Sequence, residues 1–148
     1  MTKICLVSSS GGHYEQLRKL KKLEEKYDIF FITEKTDYKM EADYFLPQTG
    51  SNDKKFIFKM LLNTVQSLKI WIKEKPDVVI TTGTVVAIPL SFLAKITGRK
   101  LVYIETFARV YDGTKAGKLM YKFADLFIIQ WETLENIYPD AVYAASIY

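Results

Sequence analysis

A short polar loop near the N-terminus contains the residue types that bind anions. Ser10, Gly11, Gly12 and His13 follow an apolar run and precede a segment with helical leucine spacing. Glycines let the backbone approach a ligand closely, and the N-terminus of a helix offers free N–H groups and a positive dipole end. The loop therefore predicts a phosphate or pyrophosphate site at Ser10, Gly11 and Gly12, although a tight turn capped by serines would use the same residues.

His13 is the single histidine of the chain and stands at the start of the predicted helix. An imidazole beside an anion site can act as a general base or hydrogen-bond a phosphate. A histidine that only hydrogen-bonds its own loop would look the same, so both interpretations stay open. The loop matches neither the G-x-G-x-x-G nor the Walker pattern. Glu34, however, follows the second predicted strand, where a dinucleotide site places its ribose-binding acid.

Polar residues also follow two later apolar runs. Thr82 and Gly83 come after the run at 78–80 and could either donate hydrogen bonds to a polar ligand or cap the next helix. Glu105 ends another run, with Arg109 four residues further on. Ligands of parallel sheets bind at the carboxyl ends of the strands. Thr82, Gly83 and Arg109 are therefore candidate ligand-binding residues and Glu105 a candidate catalytic residue. An internal ion pair between Glu105 and Arg109 is the structural alternative.

A long lysine-rich segment, residues 53–75, predicts a helix that Pro76 ends. Helical spacing predicts one apolar stripe that faces the sheet: Ile57, Leu61, Val65, Leu68 and Ile72. Basic residues mixed with the remaining apolar ones suit either an anionic bilayer surface or a partner subunit. The predicted membrane contacts are Lys54, Lys55, Phe56, Phe58, Lys59 and Trp71.

These loops require a particular arrangement of strands and helices to bring them together. Strands are predicted at 3–8, 27–33, 44–46, 77–82, 100–105, 125–130 and 141–143, and helices at 13–26, 53–75, 84–97, 115–123 and 133–138. Strands that are apolar on both faces and alternate with helices indicate a parallel sheet covered on both sides. We therefore predict one doubly wound, Rossmann-like α/β domain over residues 1–148.

The composition narrows the class of protein. One cysteine and one histidine argue against a disulfide framework and a zinc or other catalytic metal site, so no metal and no cofactor is expected. Lys and Arg number 21 against 17 Asp and Glu, which favours anionic partners. The chain has no Arg cluster or recognition motif typical of nucleic-acid binding. No apolar run approaches the roughly 20 residues of a membrane span. We expect a cytoplasmic protein, peripheral on the inner face of the cell membrane.

Four motifs, in order along the chain, resemble a known family. They are Ser-Gly-Gly-His at 10–13, YIETFARV at 103–110, ADLFIIQW at 124–131 and YPDAVY at 138–143. Together they resemble bacterial relatives of asparagine-linked glycosylation protein fourteen, the PssD-like proteins of capsular and exopolysaccharide biosynthesis. The resemblance covers essentially the whole chain.

The resemblance implies the N-terminal half of a split GT-B glycosyltransferase similar to MurG. A separate catalytic subunit would supply the C-terminal half and bind the UDP-sugar. This chain would bind the acceptor, a lipid-pyrophosphate-linked sugar, and activate its partner. Gly11, Gly12 and His13 would face the acceptor, with His13 as the base for its hydroxyl, and Glu105 would occupy an acidic position after a later strand. Ala144-Ala145 stands where the family suggests two glycines.

Two other functions fit parts of the sequence. One is a self-sufficient small glycosyltransferase, which is disfavoured because a single 148-residue domain has no room for both halves. The other is a Rossmann-type nucleotide-binding module without transferase activity. Tight binding of a UDP-sugar to the isolated chain would favour either of these, whereas no binding would favour the split enzyme.

Overall fold

In a computed structural model, which describes residues 1–50 and 52–147, the chain folds around a seven-stranded parallel sheet. The strands are β1 (Lys3–Ser8), β2 (Asp28–Glu34), β3 (Tyr44–Leu46), β4 (Val78–Gly83), β5 (Lys100–Ile104), β6 (Leu126–Ile129) and β7 (Val142–Tyr143). The helices are α1 (Gly12–Arg18), α2 (Phe56–Glu74), α3 (Ile88–Ile96) and α4 (Lys115–Met120), and 3₁₀ turns cover Lys19–Glu25, Val85–Ala87 and Glu132–Asn136. The predicted α/β fold is confirmed.

The strand order is β3-β2-β1-β4-β5-β6-β7, and every neighbouring pair is parallel. The chain adds strands in one direction from β1 to β3 and then in the other direction from β4 onward. The loops that leave β1 and β4 therefore diverge at a topological switch point. Such points form the ligand crevice of open parallel sheets.

Each face of the sheet has its own core. Cys5 and Val7 of β1 pack into the larger cluster, together with residues of α2, α3 and α4. Ile4 and Leu6 point to the opposite face, where they pack with Leu17 of α1. This alternation confirms the doubly wound arrangement. Burial raises the pKa of the Cys5 thiol, which keeps that thiol protonated inside the core.

Helix α2 packs on the sheet with the face opposite to the predicted one. The stripe predicted to be buried is instead between 45% and 83% exposed: Ile57, Leu61, Val65, Leu68 and Ile72. The buried face contains Asn63, Ser67, Ile70 and Trp71. The prediction was wrong because helical spacing identifies an apolar stripe but not what covers it.

The polar residues on the buried face of α2 are hydrogen-bonded. The Asn63 side-chain amide donates to the carbonyl of Val86 at 3.1 Å. The Ser67 hydroxyl donates to Asn63 Oδ1 at 3.0 Å. Buried polar groups are tolerated when they are paired in this way. This pairing allows a polar helix face to pack inward, next to the start of α3, and leaves the apolar face outside.

Candidate functional site

The loops after β1 and β4 are tied together at the switch point. Ser9 N donates to the carbonyl of Gly83 at 3.0 Å. The Thr82 hydroxyl donates to the carbonyl of His13 at 2.8 Å, and His13 Nδ1 lies 2.7 Å from the carbonyl of Thr82. Thr82 is fully buried, so its predicted ligand contact is wrong. Its hydroxyl positions His13 instead.

The hydrogen bond of His13 determines which ring nitrogen is free. A carbonyl oxygen can only accept, so Nδ1 must carry the proton shared with Thr82. In the neutral imidazole, Nε2 then carries the lone pair. The ring is half-buried at the crevice. This arrangement gives His13 the tautomer that a general base requires.

Gly83 forms part of the wall against which the His13 ring lies. Its φ is +95°, a conformation that favours glycine. A Cβ here would lie 3.1 Å from Tyr103 Oη and 3.8 Å from His13 Cε1. The absence of a Cβ at Gly83 therefore leaves room for the Tyr103 hydroxyl, and the ligand contact of Gly83 stays a prediction.

Ser10 is engaged by a carboxylate and is not a phosphate donor, which corrects the sequence prediction. Its backbone N–H and its hydroxyl both donate to Glu34 Oε2, at 3.2 and 3.1 Å. Glu34 is 5% exposed and comes from the end of β2. A buried carboxylate so close would repel an anion. Glu34 thus holds the first loop in place.

Gly11 and Gly12 open toward solvent at the start of α1. The carbonyl of Gly11 accepts hydrogen bonds from the N–H groups of Tyr14 and Glu15, both at 3.0 Å. A Cβ on Gly11 or Gly12 would meet nothing within 4 Å. The backbone is therefore accessible, and contact with the acceptor at these glycines stays a prediction.

Glu105 is enclosed and cannot touch a substrate, so its predicted catalytic role is wrong. It is 0% exposed. Its carboxylate accepts from the Tyr138 hydroxyl at 2.8 Å and from N and Oγ1 of Thr114 at 3.1 and 2.9 Å. Burial, followed by this hydrogen bond, raises the pKa of Tyr138. The carboxylate organises the loop between β5 and α4.

Arg109 does not pair with Glu105, so the structural alternative considered for these two residues is also wrong. Its guanidinium contacts Asp112 at 2.8 Å on the surface. The side chain is 44% exposed, so Arg109 remains accessible, and phosphate binding by it stays a prediction.

A buried polar network behind the first loop was not predicted from the sequence. The Gln130 side-chain amide donates to Gln16 Oε1 at 2.9 Å and to the carbonyl of Glu105 at 3.0 Å. Gln16 Nε2 in turn donates to the Thr106 hydroxyl at 3.0 Å. These bonds connect α1 to the ends of β5 and β6. The signal in the sequence was a glutamine directly after an apolar strand and another on an apolar helix.

The residues predicted to contact a membrane differ in accessibility. Lys54, Lys55 and Phe58 are exposed, whereas Phe56 is half-buried and Lys59 pairs with Asp53. Trp71 is only 9% exposed, so its membrane contact was wrong. Across the described part of the chain, no helix combines the length and apolar character needed to cross a membrane.

A metal site is also absent from the described residues. Within 1–50 and 52–147, no three His, Cys, Asp or Glu side chains lie close enough together to hold a metal ion.

Solved structures with the same fold include a UDP-N-acetylglucosamine 2-epimerase and MurG. UDP-N-acetylglucosamine 2-epimerase from Rickettsia bellii aligns with a TM-score of 0.73 and 18% identity, covering 99% of this chain and 45% of that one. MurG from Acinetobacter baumannii aligns with a TM-score of 0.71 and 15% identity, covering 99% of this chain and 44% of that one. At such identities the likeness shows the fold alone. The chain is a Rossmann-like domain of the kind found in GT-B proteins.

Residues 48–147 match the family described as "Oligosaccharide biosynthesis protein Alg14 like", and the chain belongs to this family. The UDP-N-acetylglucosamine transferase subunit ALG14 of Yarrowia lipolytica is 26% identical over 170 residues, which cover 95% of this chain and 79% of that protein. Its human counterpart is 32% identical over 97 residues, covering 62% and 45%. The chain thus spans less than half of the human relative. The resemblance inferred from the motifs is confirmed at the level of the family.

Proposed function

We propose that this chain is the acceptor-binding subunit of a two-subunit glycosyltransferase. The partner binds a UDP-sugar, and the sugar is transferred to a polyprenyl-pyrophosphate-linked acceptor held by this chain. The observation that carries the proposal is membership of the Alg14-like family, whose matched relatives are named as subunits of a UDP-N-acetylglucosamine transferase. The fold agrees, since the chain aligns with 44% of MurG.

The geometry at the switch point supports an acceptor site. His13 Nε2 takes the proton of the attacking acceptor hydroxyl, while Thr82 keeps the ring in its tautomer. The backbone at Gly11 and Gly12 approaches the acceptor pyrophosphate, because neither glycine is obstructed. Arg109, on the loop that follows β5, adds an accessible positive charge. The UDP-sugar reaches this site on the partner subunit.

The proposal extends to the cellular process and location in which the subunit works. The motifs at 103–110 and 124–131 support a bacterial PssD-like protein. The product would then be a lipid-linked precursor of capsular polysaccharide or exopolysaccharide. The chain would work on the cytoplasmic side of the cell membrane, where its acceptor is held by a lipid.

The outward face of α2 supports contact with an anionic membrane. Ile57, Phe58 and Leu61 are exposed in the first turns of the helix, directly after Lys54 and Lys55. Exposed apolar side chains beside lysines match the acyl chains and the anionic headgroups of a bilayer surface. This face would keep the subunit next to a lipid-anchored acceptor.

An apolar groove extends the same surface. It has a volume of about 340 Å³ and lies between α2 and α3, where Leu68, Phe92 and Ile96 line it. Phe92 and Ile96 are both exposed. With the groove included, the apolar surface available for contact with lipid extends from α2 to α3.

Reconstitution with the partner tests the proposed function. The purified chain alone should transfer no sugar to a lipid-linked acceptor. Co-expression with a candidate catalytic glycosyltransferase subunit should produce transfer that depends on both chains. Transfer by the chain free of partner would favour the self-sufficient enzyme. No transfer by the pair, with a range of UDP-sugars, would contradict the subunit role.

A further inference from the structure

A polar cleft of about 440 Å³ lies beside the switch point and has no role in the chemistry described above. Its lining includes Ser10, Glu34, Thr49, Asp53, Lys59 and Thr84. Thr84 directly follows Gly83, against which the His13 ring lies. The cleft therefore opens next to the proposed general base. Both the carboxyl end of β2 and the segment before α2 contribute to it.

Glu34 gives the cleft a buried acceptor with unused capacity. The hydrogen bonds to its carboxylate come from neutral groups: Ser10 N, Ser10 Oγ and Thr49 N. A carboxylate offers about four lone-pair sites. The contact with Thr49 N is 3.3 Å, beyond the usual range of a strong N–H···O bond. Glu34 can therefore accept a further hydrogen bond, most favourably from a hydroxyl or an amide.

Thr49 supplies an independent sign of a ligand. The residue is 6% exposed, and its hydroxyl has no hydrogen-bond partner among the residues that the structure describes. Buried hydroxyls are nearly always paired, because leaving one unpaired costs free energy. A hydroxyl or carbonyl group of a molecule in the cleft would satisfy it.

The charges of the cleft indicate which chemical class fits. Lys59 is already paired with Asp53, and Glu34 has no cationic partner among its hydrogen bonds. A phosphate inside the cleft would meet uncompensated negative charge. A neutral ring with several hydroxyls could instead hydrogen-bond to both the Glu34 carboxylate and the Thr49 hydroxyl.

We infer that this cleft binds the pyranose of the acceptor, with the attacked hydroxyl directed toward His13. The inference rests on the proposed function and assigns a sugar site to Glu34 and Thr49. It also predicts how the acceptor is oriented on the protein. The sugar lies in the cleft, and the lipid lies along α2, whose first turn borders the cleft through Lys59.

Paired variants test the site. Thr49→Val removes the unpaired hydroxyl while keeping the shape of the side chain. Thr33→Val is its matched control, because Thr33 also has a buried hydroxyl without a partner but does not line the cleft. Glu34→Gln is matched by Glu41→Gln, a surface carboxylate elsewhere. Thermal unfolding of each variant checks that the fold is kept, and neither threonine variant should lower the unfolding temperature.

Binding is measured by NMR on the full chain, with glucose 1-phosphate and N-acetylglucosamine 1-phosphate as probes and UDP as the competing nucleotide. The sugar phosphates should shift the amide signals of Ser10, Thr49 and Thr84. Thr49→Val should weaken binding roughly fivefold and Glu34→Gln about tenfold or more, as expected for one lost neutral or charged hydrogen bond. The two controls should bind like the wild type.

Three results would overturn the inference: no shift at these amides, Thr49→Val binding as well as Thr33→Val, or UDP causing the same shifts in place of the sugar. The reconstituted enzyme separates this outcome from the proposed function. If wild-type transfer occurs and Thr49→Val leaves the acceptor KM unchanged, only the sugar site fails. If the wild-type pair transfers nothing while the sugar shifts are present, only the proposed function fails.

Discussion

At the scale of single residues, His13 has a structural role and a proposed catalytic role, and a single substitution can remove both at once. Its Nδ1 holds the loop against Thr82, and its Nε2 is the proposed base. His13→Ala removes both properties, whereas His13→Asn keeps an N–H that can reach the carbonyl of Thr82. If Nε2 is the base, both variants should lower kcat of the two-subunit enzyme by about a hundredfold or more. Recovery of activity in His13→Asn would show that His13 only positions the loop. Co-purification with the partner serves as the control for assembly.

Two glycines in helices should respond differently to an added methyl group. At Gly117, a Cβ would lie 2.1 Å from Glu105 Oε2 and 2.9 Å from Thr114 Oγ1. Gly117→Ala should therefore lower the free energy of unfolding by about 1–3 kcal/mol, the usual cost of overpacking. Gly12→Ala meets nothing within 4 Å, so it should leave stability unchanged. It should raise the acceptor KM if the backbone there approaches the pyrophosphate. Chemical denaturation and transfer kinetics measure the two effects, and equal stability of both variants would contradict the packing described at Glu105.

At the scale of elements, α2 is predicted to bind anionic liposomes through its outward face. Each lysine near such a surface contributes about 1 kcal/mol, so reversing Lys54 and Lys55 should weaken sedimentation with liposomes at least tenfold. Ile57→Ser with Leu61→Ser should weaken it as well, because both side chains are exposed. High salt should reduce binding of the wild type.

Matched controls exist for this test. Charge reversal at Lys21 and Lys22 changes the net charge equally but lies on the turn after α1. Tyr111→Ser removes an exposed apolar side chain outside α2. Both should sediment like the wild type. If the α2 variants also bind normally, the apolar face of α2 contacts the partner subunit instead of lipid.

The end of α2 is joined to the sheet by an ion pair that titrates. Glu74 Oε2 lies 2.7 Å from Lys3 Nζ of β1, and the Tyr44 hydroxyl donates to the same carboxylate. These hydrogen bonds, that from Lys3 first, hold the pKa of Glu74 below its ordinary value of 4.5. The pair therefore stabilises the fold fully above pH 4.5, and this stabilisation is lost as the pH falls through the lowered pKa.

Glu74→Gln should reveal this dependence. The variant should be less stable than the wild type at neutral pH, and the two should converge as the pH falls well below 4.5. Urea denaturation at a series of pH values measures the difference. Glu25→Gln, on an exposed turn, should show no such convergence. A constant gap between Glu74→Gln and the wild type down to low pH would contradict the ion pair.

At the scale of the whole molecule, three surfaces meet around one switch point. The His13 crevice and the polar cleft lie side by side, and the first turn of α2 connects the cleft to the exposed apolar face. A lipid-linked sugar could contact all three surfaces at once, which a free nucleotide could not. This arrangement is the one that the proposed acceptor role predicts.

The proposed two-subunit function predicts that the partner, and not this chain alone, binds the nucleotide sugar. Calorimetric titration of the isolated chain with UDP-N-acetylglucosamine should give no tight binding, whereas the two-subunit complex should bind it. The partner purified alone is the control. Tight binding by the isolated chain would favour a self-sufficient transferase or a nucleotide-binding module.

Much of the fold followed from the sequence because its signals are local. Apolar runs such as 3–8 and 78–80 predict buried strands, and their alternation with helices predicts a parallel sheet. Gly11, Gly12 and His13 were predicted as candidates because loops after parallel strands are where ligands bind, and their ligand contacts stay predictions. The family was likewise readable from motifs such as 103–110. Each of these inferences needs only neighbouring residues or their order along the chain.

The tertiary structure decided what depends on segments far apart in the sequence. Spacing marked the stripe on α2, but the packing of Asn63 against Val86 turned that stripe outward. Glu105 is a structural carboxylate because it is buried and accepts a hydrogen bond from Tyr138. The Ser10 hydroxyl is not available to an anion because it donates to Glu34. Such outcomes are set by contacts between distant residues. Periodicity describes one segment, whereas burial and hydrogen bonding are properties of the neighbours that the fold brings to it.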